Sequence, residues 1–303
     1  MHNHLDRNLI GYGPNPPHAR WPGDARIAVS FVLNYEEGGE NTILNGDAAS
    51  EVFLTETPGG TPIQGGRDLS TESVYEYGSR AGFWRILRLF KEREMRFTSW
   101  AVGRALELNP AAGKAMAEAG HEVASHGWRW INYRDFTLEQ ELDHMRKAVK
   151  AIRQTAGRAP VGWYTGRFGM HTLEAVIEHG GFLYSSDSYA DDLPYWVKVG
   201  RTPHLIIPYT LEVNDMKFGV PPGFTAGDGW LQAMKDSFDM LYAEGARSPK
   251  MMSIGLHCRL AGRPSRAATL ARFLDYVASK PRVWVATREE IARHWIKTHP
   301  AKG

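Results

Sequence analysis

The sequence predicts an α/β fold: a closed or nearly closed barrel of parallel strands in one domain. Three observations point there. Roughly eight short apolar runs alternate with helical patterns, as repeated βα units require. No shift in composition marks a linker, so the 303 residues read as one domain over 1–303. No G-x-G-x-x-G or Walker loop follows the first strand, which weakens a nucleotide-binding open sheet.

The elements follow in order. Residues 1–25 are rich in Gly, Pro and His and read as an extended N-terminal arm. Arg26–Asn34 is the first buried strand, ended by Glu36-Glu37 and broken by Gly38-Gly39. The polar stretch 38–71 is long for a structureless loop, and such loops are usually functional or touch a partner subunit. A helix spans Glu72–Glu94, with Trp84, Leu87 and Phe90 at helical spacing, and leads to the strand Phe97–Val102. A helix after Pro110 precedes the strand Glu122–Ser125. Thr137-Leu-Glu-Gln140 is a capping box that opens a helix to about Thr155. Strand Val161–Tyr164, helix Thr172–His179 and strand Phe182–Ser185 come next. Strand Leu205–Tyr209, helix Gly229–Glu244, strand Met251–Leu256 and a helix after Pro264 continue the alternation. Strand Val283–Ala286 closes it, with a second capping box at Thr287–Glu290.

Composition narrows the function. Hydrophobic content of 43% and charged content of 23% are those of a globular protein. The arginines are spread along the chain and the formal net charge is only +2, so no nucleic-acid surface is indicated. No stretch approaches the ~18 apolar residues of a membrane span, and Met1–Arg7 has no apolar core of a leader. The single cysteine, Cys258, cannot form an internal disulfide, which fits a reducing compartment. The expectation is a cytoplasmic protein with no nucleic-acid or membrane partner.

In a βα barrel, reacting groups collect at the carboxyl ends of strands. The polar residues there are Asn34, Glu36 and Glu37 after the first strand, and His126 after the third, followed by Gly127-Trp-Arg-Trp130. The next strands end in Tyr164, Thr165 and Arg167, then in Asp187 with Asp191 and Asp192, and a late one ends in His257. Asp191-Asp192 before Leu-Pro-Tyr-Trp196 reads as a loop anchor. Carboxylates, two histidines and an arginine from four strands thus converge on one mouth.

This constellation resembles the polysaccharide-deacetylase-like family, whose fold is a deformed β/α barrel. Its Phe-Asp-Asp-Gly motif is matched by Tyr35-Glu36-Glu37-Gly38, its first acid being the general base and its second a metal ligand. The family's pair of histidines at i and i+4 falls on His126 and Trp130. Its Arg-x-Pro motif lands on Tyr164-Thr-Gly166, with Arg167 following, and its Leu-His motif, source of the general acid, on Leu256-His257. Trp130 cannot bind a metal, and His121 points to the opposite face of its extended segment from His126. Glu37 and His126 alone are a weak pair, so the expectation is no metal and no cofactor.

One branch with this pattern, the metal-independent allantoinases, is similar nearly end to end, including "LIGYGPNPPH", "FVLNYEEGGE", "DDLPYW", "IPYTLEVNDM" and "SIGLHCRLAGRP". The resemblance implies hydrolysis of the hydantoin ring of allantoin, or a similar cyclic ureide, and a homotetramer. "RFGMH" departs from the branch, and Phe168 to His171 are expected at the mouth as determinants of substrate preference.

Opening a cyclic amide without a metal requires a base to activate water, charge stabilisation and a proton for the leaving nitrogen. Glu36 is expected as base, its pKa raised by Glu37 alongside. His257 is the expected acid. His126, charged beside Glu37, and Arg167 would stabilise the oxyanion. Trp130 and Tyr164 would wall the flat ring, Asn34 would bond it, and Asp187 would hold Arg167 or a histidine. A hydantoin suits a metal-free site because its nitrogen leaves as a stabilised ureido group. The alternatives are a metal-dependent cyclic-imide hydrolase or N-acyl deacetylase, and a non-catalytic carbohydrate-binding relic of the fold.

Overall fold

The structure, a computed structural model, describes residues 1–57 and 60–301. Its centre is β1 (Ile27–Tyr35), buried at all nine positions because both its faces are covered. β2 (Thr98–Ala101), β3 (Glu122–Ser125), β4 (Gly162–Trp163) and β5 (Tyr184–Ser185) extend from one edge of β1 in parallel. β6 (Tyr195–Val199) and β7 (Thr202–Ile206) form an antiparallel hairpin, with β7 parallel to β5. β8 (Lys250–His257) lies along the other edge of β1, with Asn34 opposite His257. β9 (Val283–Val285) pairs with the first residues of β1, Ile27–Val29, while β2 pairs with Val32–Tyr35. The result is a curled, mostly parallel half-barrel, ordered β6-β7-β5-β4-β3-β2-β1-β8, as the predicted deformed barrel requires.

Helices cover the outside. α1 (Leu69–Tyr77) and α2 (Phe83–Lys91) replace the single helix expected over Glu72–Glu94, because a wide π-turn at Gly78–Gly82 separates them. α3 (Gly103–Leu108) and α4 (Pro110–Glu118) follow β2, and α5 (Leu138–Ala156) and α6 (Thr172–His179) follow β3 and β4. α7 (Gly227–Glu244), α8 (Pro264–Ala278) and α9 (Arg288–Thr298) complete the layer. Both capping boxes form, at Thr137 with Gln140 and at Thr287 with Glu290.

Two differences from the sequence reading have physical reasons. β6 was not expected, because Leu-Pro-Tyr-Trp reads as a turn; Gly200, at φ 59°, permits the two-residue loop to β7. The arm is not extended throughout. Trp21 is buried against Trp284, His294 and Trp295, and donates its indole N–H to the Lys250 carbonyl.

Inside the half-barrel, Arg288 stands where a strand pairing is missing. Its guanidinium donates to Ser253 Oγ on β8, to Ser186 Oγ after β5, and to the carbonyls of Ile207 and Pro208 after β7. It is fully buried with no carboxylate among these partners, and lies 5.6 Å from the Trp100 ring and 5.7 Å from that of Tyr209. Four hydrogen-bond acceptors stand in for the solvation it has lost.

Candidate active site

The two adjacent acids face different ways, and strand periodicity explains it. Successive side chains in an extended chain point to opposite faces. Phe31 and Tyr35 pack outward against Phe90 and Phe83 of α2, whereas Val32 packs inward with Trp100 and Tyr164. Glu36 continues the inward series and Glu37 the outward one.

Glu36 is the hub. Its Oε1 lies 3.2 Å from His126 Nε2 and 3.4 Å from His257 Nε2, and its Oε2 accepts from Arg259 Nη2 at 2.8 Å. Glu36, His126 and His257 are 1%, 2% and 5% exposed, so the cluster is nearly dry. Burial would raise the Glu36 pKa, but the Arg259 guanidinium, then His257 and His126, hold it well below the usual carboxylate range. This corrects the expectation of a raised base: like-charge repulsion between the two acids is outweighed by the cations around Glu36. The raised partner is Glu37, pushed up by burial despite Arg259, with Glu36 adding to the rise.

Each histidine is aimed from behind. His126 Nδ1 is 3.2 Å from the Tyr164 carbonyl, and its ring packs 5.1 Å from the Tyr164 ring. The imidazole beside Glu37 was expected to be His126, yet its carboxylate contact is with Glu36. His257 Nδ1 meets Asp215 Oδ1 at 2.6 Å. Asp215 Oδ2 accepts the backbone N–H groups of His257 and Ala261, at 2.7 and 2.9 Å, which fixes the carboxylate. Burial alone would lower the His257 pKa; Glu36 and then Asp215 outweigh it and raise it to about 9. At neutral pH His257 therefore carries a proton on Nε2, pointed at the hub.

Glu37 turns toward the helices. Its Oε2 accepts the Glu36 backbone N–H at 3.0 Å, and its Oε1 lies 3.6 Å from Arg259 Nη1. A Cβ at Gly78 would sit 2.3 Å from Glu37 Oε1, so the π-turn needs glycine there. A Cβ at Gly82 would collide with the Cys258 carbonyl at 2.0 Å, so the same turn lets the Cys258–Gly262 segment approach.

The other predicted residues divide. Trp130 stacks on Phe53 with centroids 5.9 Å apart, and Arg167 lies over its ring at 4.0 Å. Arg167 pairs with Glu51 at 3.6 Å and not with Asp187. Asp187 accepts from the backbone N–H groups of Thr165 and Gly166, so it shapes the β4 loop, and burial raises its pKa to about 6. Asn34 donates to the Leu256 carbonyl at 3.0 Å, which ties β1 to β8. Phe168 and Met170 are exposed and line a separate groove of about 1100 Å³ beneath the N-terminal arm, and His171 pairs with Glu174 at the surface. None of Glu36, His126 or His257 lines that groove, but Asp187 does, so Phe168 and Met170 lie on the side of the mouth away from the Glu36 cluster.

The site is covered by Glu51–Glu56. Leu54 offers its carbonyl to Arg259 Nε at 2.9 Å, and Tyr75 donates to the Phe53 carbonyl at 3.1 Å. Asp215, Arg259 and this cover were not expected from the sequence. Arg259, two residues beyond His257, was the one with a visible signal.

A divalent metal does not fit these donors. Trp130 offers none, Glu37 faces away from His126, and both His126 nitrogens already face oxygens. Among the described residues no three His, Cys, Asp or Glu side chains are placed to hold a metal ion. His121, the other imidazole near in sequence, stacks on Phe97 at 3.6 Å and accepts from the Phe97 N–H.

The curled half-barrel is the fold of hydrolases of the deacetylase type. The polysaccharide deacetylase family model matches residues 70–179. A putative polysaccharide deacetylase of Schizosaccharomyces pombe is 48% identical, over 98% of both chains. The chain belongs to the polysaccharide deacetylase family. Two solved structures are similar throughout, each covering 98% of this chain and 99% of the other. A probable polysaccharide deacetylase from Pseudomonas aeruginosa PAO1 is 56% identical with a TM-score of 0.95, and Puue allantoinase 55% identical with a TM-score of 0.96.

Proposed function

We propose that this protein hydrolyses a cyclic ureide of the hydantoin type, allantoin above all, by acid–base chemistry among its own side chains. The observation that carries the proposal is the arrangement around Glu36: its carboxylate lies between two imidazoles, 3.2 Å from His126 and 3.4 Å from His257, and Asp215 grips His257 from behind, all in a nearly dry cluster. The cations around Glu36 favour its ionised form, and the carboxylates around His257 its charged form. Likeness to Puue allantoinase over almost the whole of both chains supports the choice of substrate.

The chain's groups supply each proton movement. Glu36 Oε1 takes a proton from water, and the oxygen adds to the ring carbonyl carbon. His126 orients Glu36 and the attacking water, and Arg167 offsets the charge that develops on the carbonyl oxygen. The C–N bond then breaks as His257 Nε2 gives its proton to the leaving nitrogen, which remains in a ureido group. The depressed pKa populates the base fully but makes it weak, so charge stabilisation carries much of the barrier lowering.

A panel of allantoin, hydantoin, dihydrouracil, succinimide and an acetylated chitooligosaccharide tests the reading. Ring opening of the first two without acetate release is expected; acetate release from the oligosaccharide alone would favour an N-acyl deacetylase. We also propose a cytoplasmic homotetramer; the exposed Leu9 and Ile10 of the arm support association of copies. Sedimentation checks the assembly. No described helix is long and apolar enough to cross a membrane.

A further inference from the structure

The misfit between the donors and a metal raises the question of what balances the charge of two buried acids. Arg259 is completely buried, and its environment is built on every side. Nη2 binds Glu36 Oε2 at 2.8 Å, Nη1 faces Glu37 Oε1 at 3.6 Å, and Nε donates to the Leu54 carbonyl. The flat face of the guanidinium lies 4.1 Å from the Tyr75 ring, and the Trp130 ring is 5.2 Å away. One fork therefore reaches both acids and also lies near the tryptophan that stands in place of a histidine.

Glu37 Oε1 and Arg259 Nη1 are both buried without a hydrogen-bond partner. They face each other across a gap slightly too long for a direct bond, and such a gap is bridged by water or closes when the cover shifts. No other cation reaches both acids among the described ion pairs.

We propose that the Arg259 guanidinium is the resident cation of this site, holding the acid pair and keeping a divalent metal out. It is a positioning residue: it holds Glu36 ionised and aimed at the histidines. The proposal concerns the same site as the hydrolase reading but stands apart from the choice of substrate, because its test reads metal binding and not turnover.

The test compares Co²⁺ binding, by visible absorption and equilibrium dialysis, in four proteins: the natural chain, Trp130→His, Trp130→His/Arg259→Leu and Trp130→His/Arg259→Lys. The leucine variant keeps the apolar stem against Tyr75 while freeing the Glu36 carboxylate beside His126, with the introduced imidazole as the third donor. It should bind one Co²⁺ per chain, about 100-fold tighter than Trp130→His alone. The lysine variant loses bulk but keeps the charge, so it should stay as weak as Trp130→His. Should the leucine variant fail to fold, Arg259→Gln in its place keeps a donor for the Leu54 carbonyl and serves the same comparison. Tight stoichiometric binding by Trp130→His with Arg259 intact would overturn the proposal. So would equal binding by the leucine and lysine variants, or no binding by a folded variant lacking the guanidinium.

Discussion

Asp215 grips His257 twice, taking Nδ1 at 2.6 Å with one carboxylate oxygen and the backbone N–H at 2.7 Å with the other. The ring is thereby fixed in orientation and stabilised in its charged form. Asp215→Asn removes the charge while keeping the shape. The His257 pKa should then fall by about one unit or more, and kcat by about 10²-fold. A pH–rate profile reads both, and an alkaline limb left in place would contradict the role.

The natural enzyme should show a broad plateau. The acid must keep its proton, so the rate falls as pH rises through about 9, the pKa of His257. The base must be unprotonated, and Glu36 is held well below the usual range, so the acid limb lies below the ordinary carboxylate pKa. An acid limb near neutrality would point instead to a raised base.

Stability should follow the same imidazole. The folded pKa of about 9 lies above the unfolded value near 6.5, so the folded state binds more protons between them. The His257 contribution is therefore complete below about pH 6.5 and is lost as pH rises through about 9. The shift corresponds to about 3 kcal/mol at 1.36 kcal/mol per unit. Urea melts of the natural chain and His257→Gln, compared across that window, should converge toward high pH.

Glu36→Gln should cost more than activity. It removes the base, for about 10²–10⁴-fold in rate, and leaves Arg259 buried without its closest carboxylate. Breaking a buried pair from one side destabilises by about 3–5 kcal/mol. A fully stable Glu36→Gln protein would contradict the tight coupling of the two.

Glu36 and Glu37 were expected side by side, yet strand alternation separates them, since Val32 and Glu36 share one face and Tyr35 and Glu37 the other. The convergence of Glu36, His126 and His257 was legible too, because all three follow strand ends. Asp215 was not: it reaches His257 from a loop 42 residues earlier in the chain, and no local pattern marks such a partner. Phe168 and Met170, in a loop that follows a strand end, line the groove beneath the arm, while His171 pairs with Glu174. β6 was hidden because a hairpin strand at a sheet edge needs little apolar patterning.

Phe53 is the most accessible handle on the cover. Phe53→Ala removes the stack on Trp130, for about 0.5–1.5 kcal/mol, and should raise KM several-fold with a smaller change in kcat. An unchanged KM would mean the cover plays no part in holding substrate.

The most direct measurement is allantoin turnover by protein freed of metal with a strong chelator, followed by NMR of the product. Undiminished conversion to allantoate, abolished in His257→Gln, is the predicted result. Loss of turnover on chelation, restored by one equivalent of a divalent ion, would contradict hydrolysis by the protein's own acids and bases.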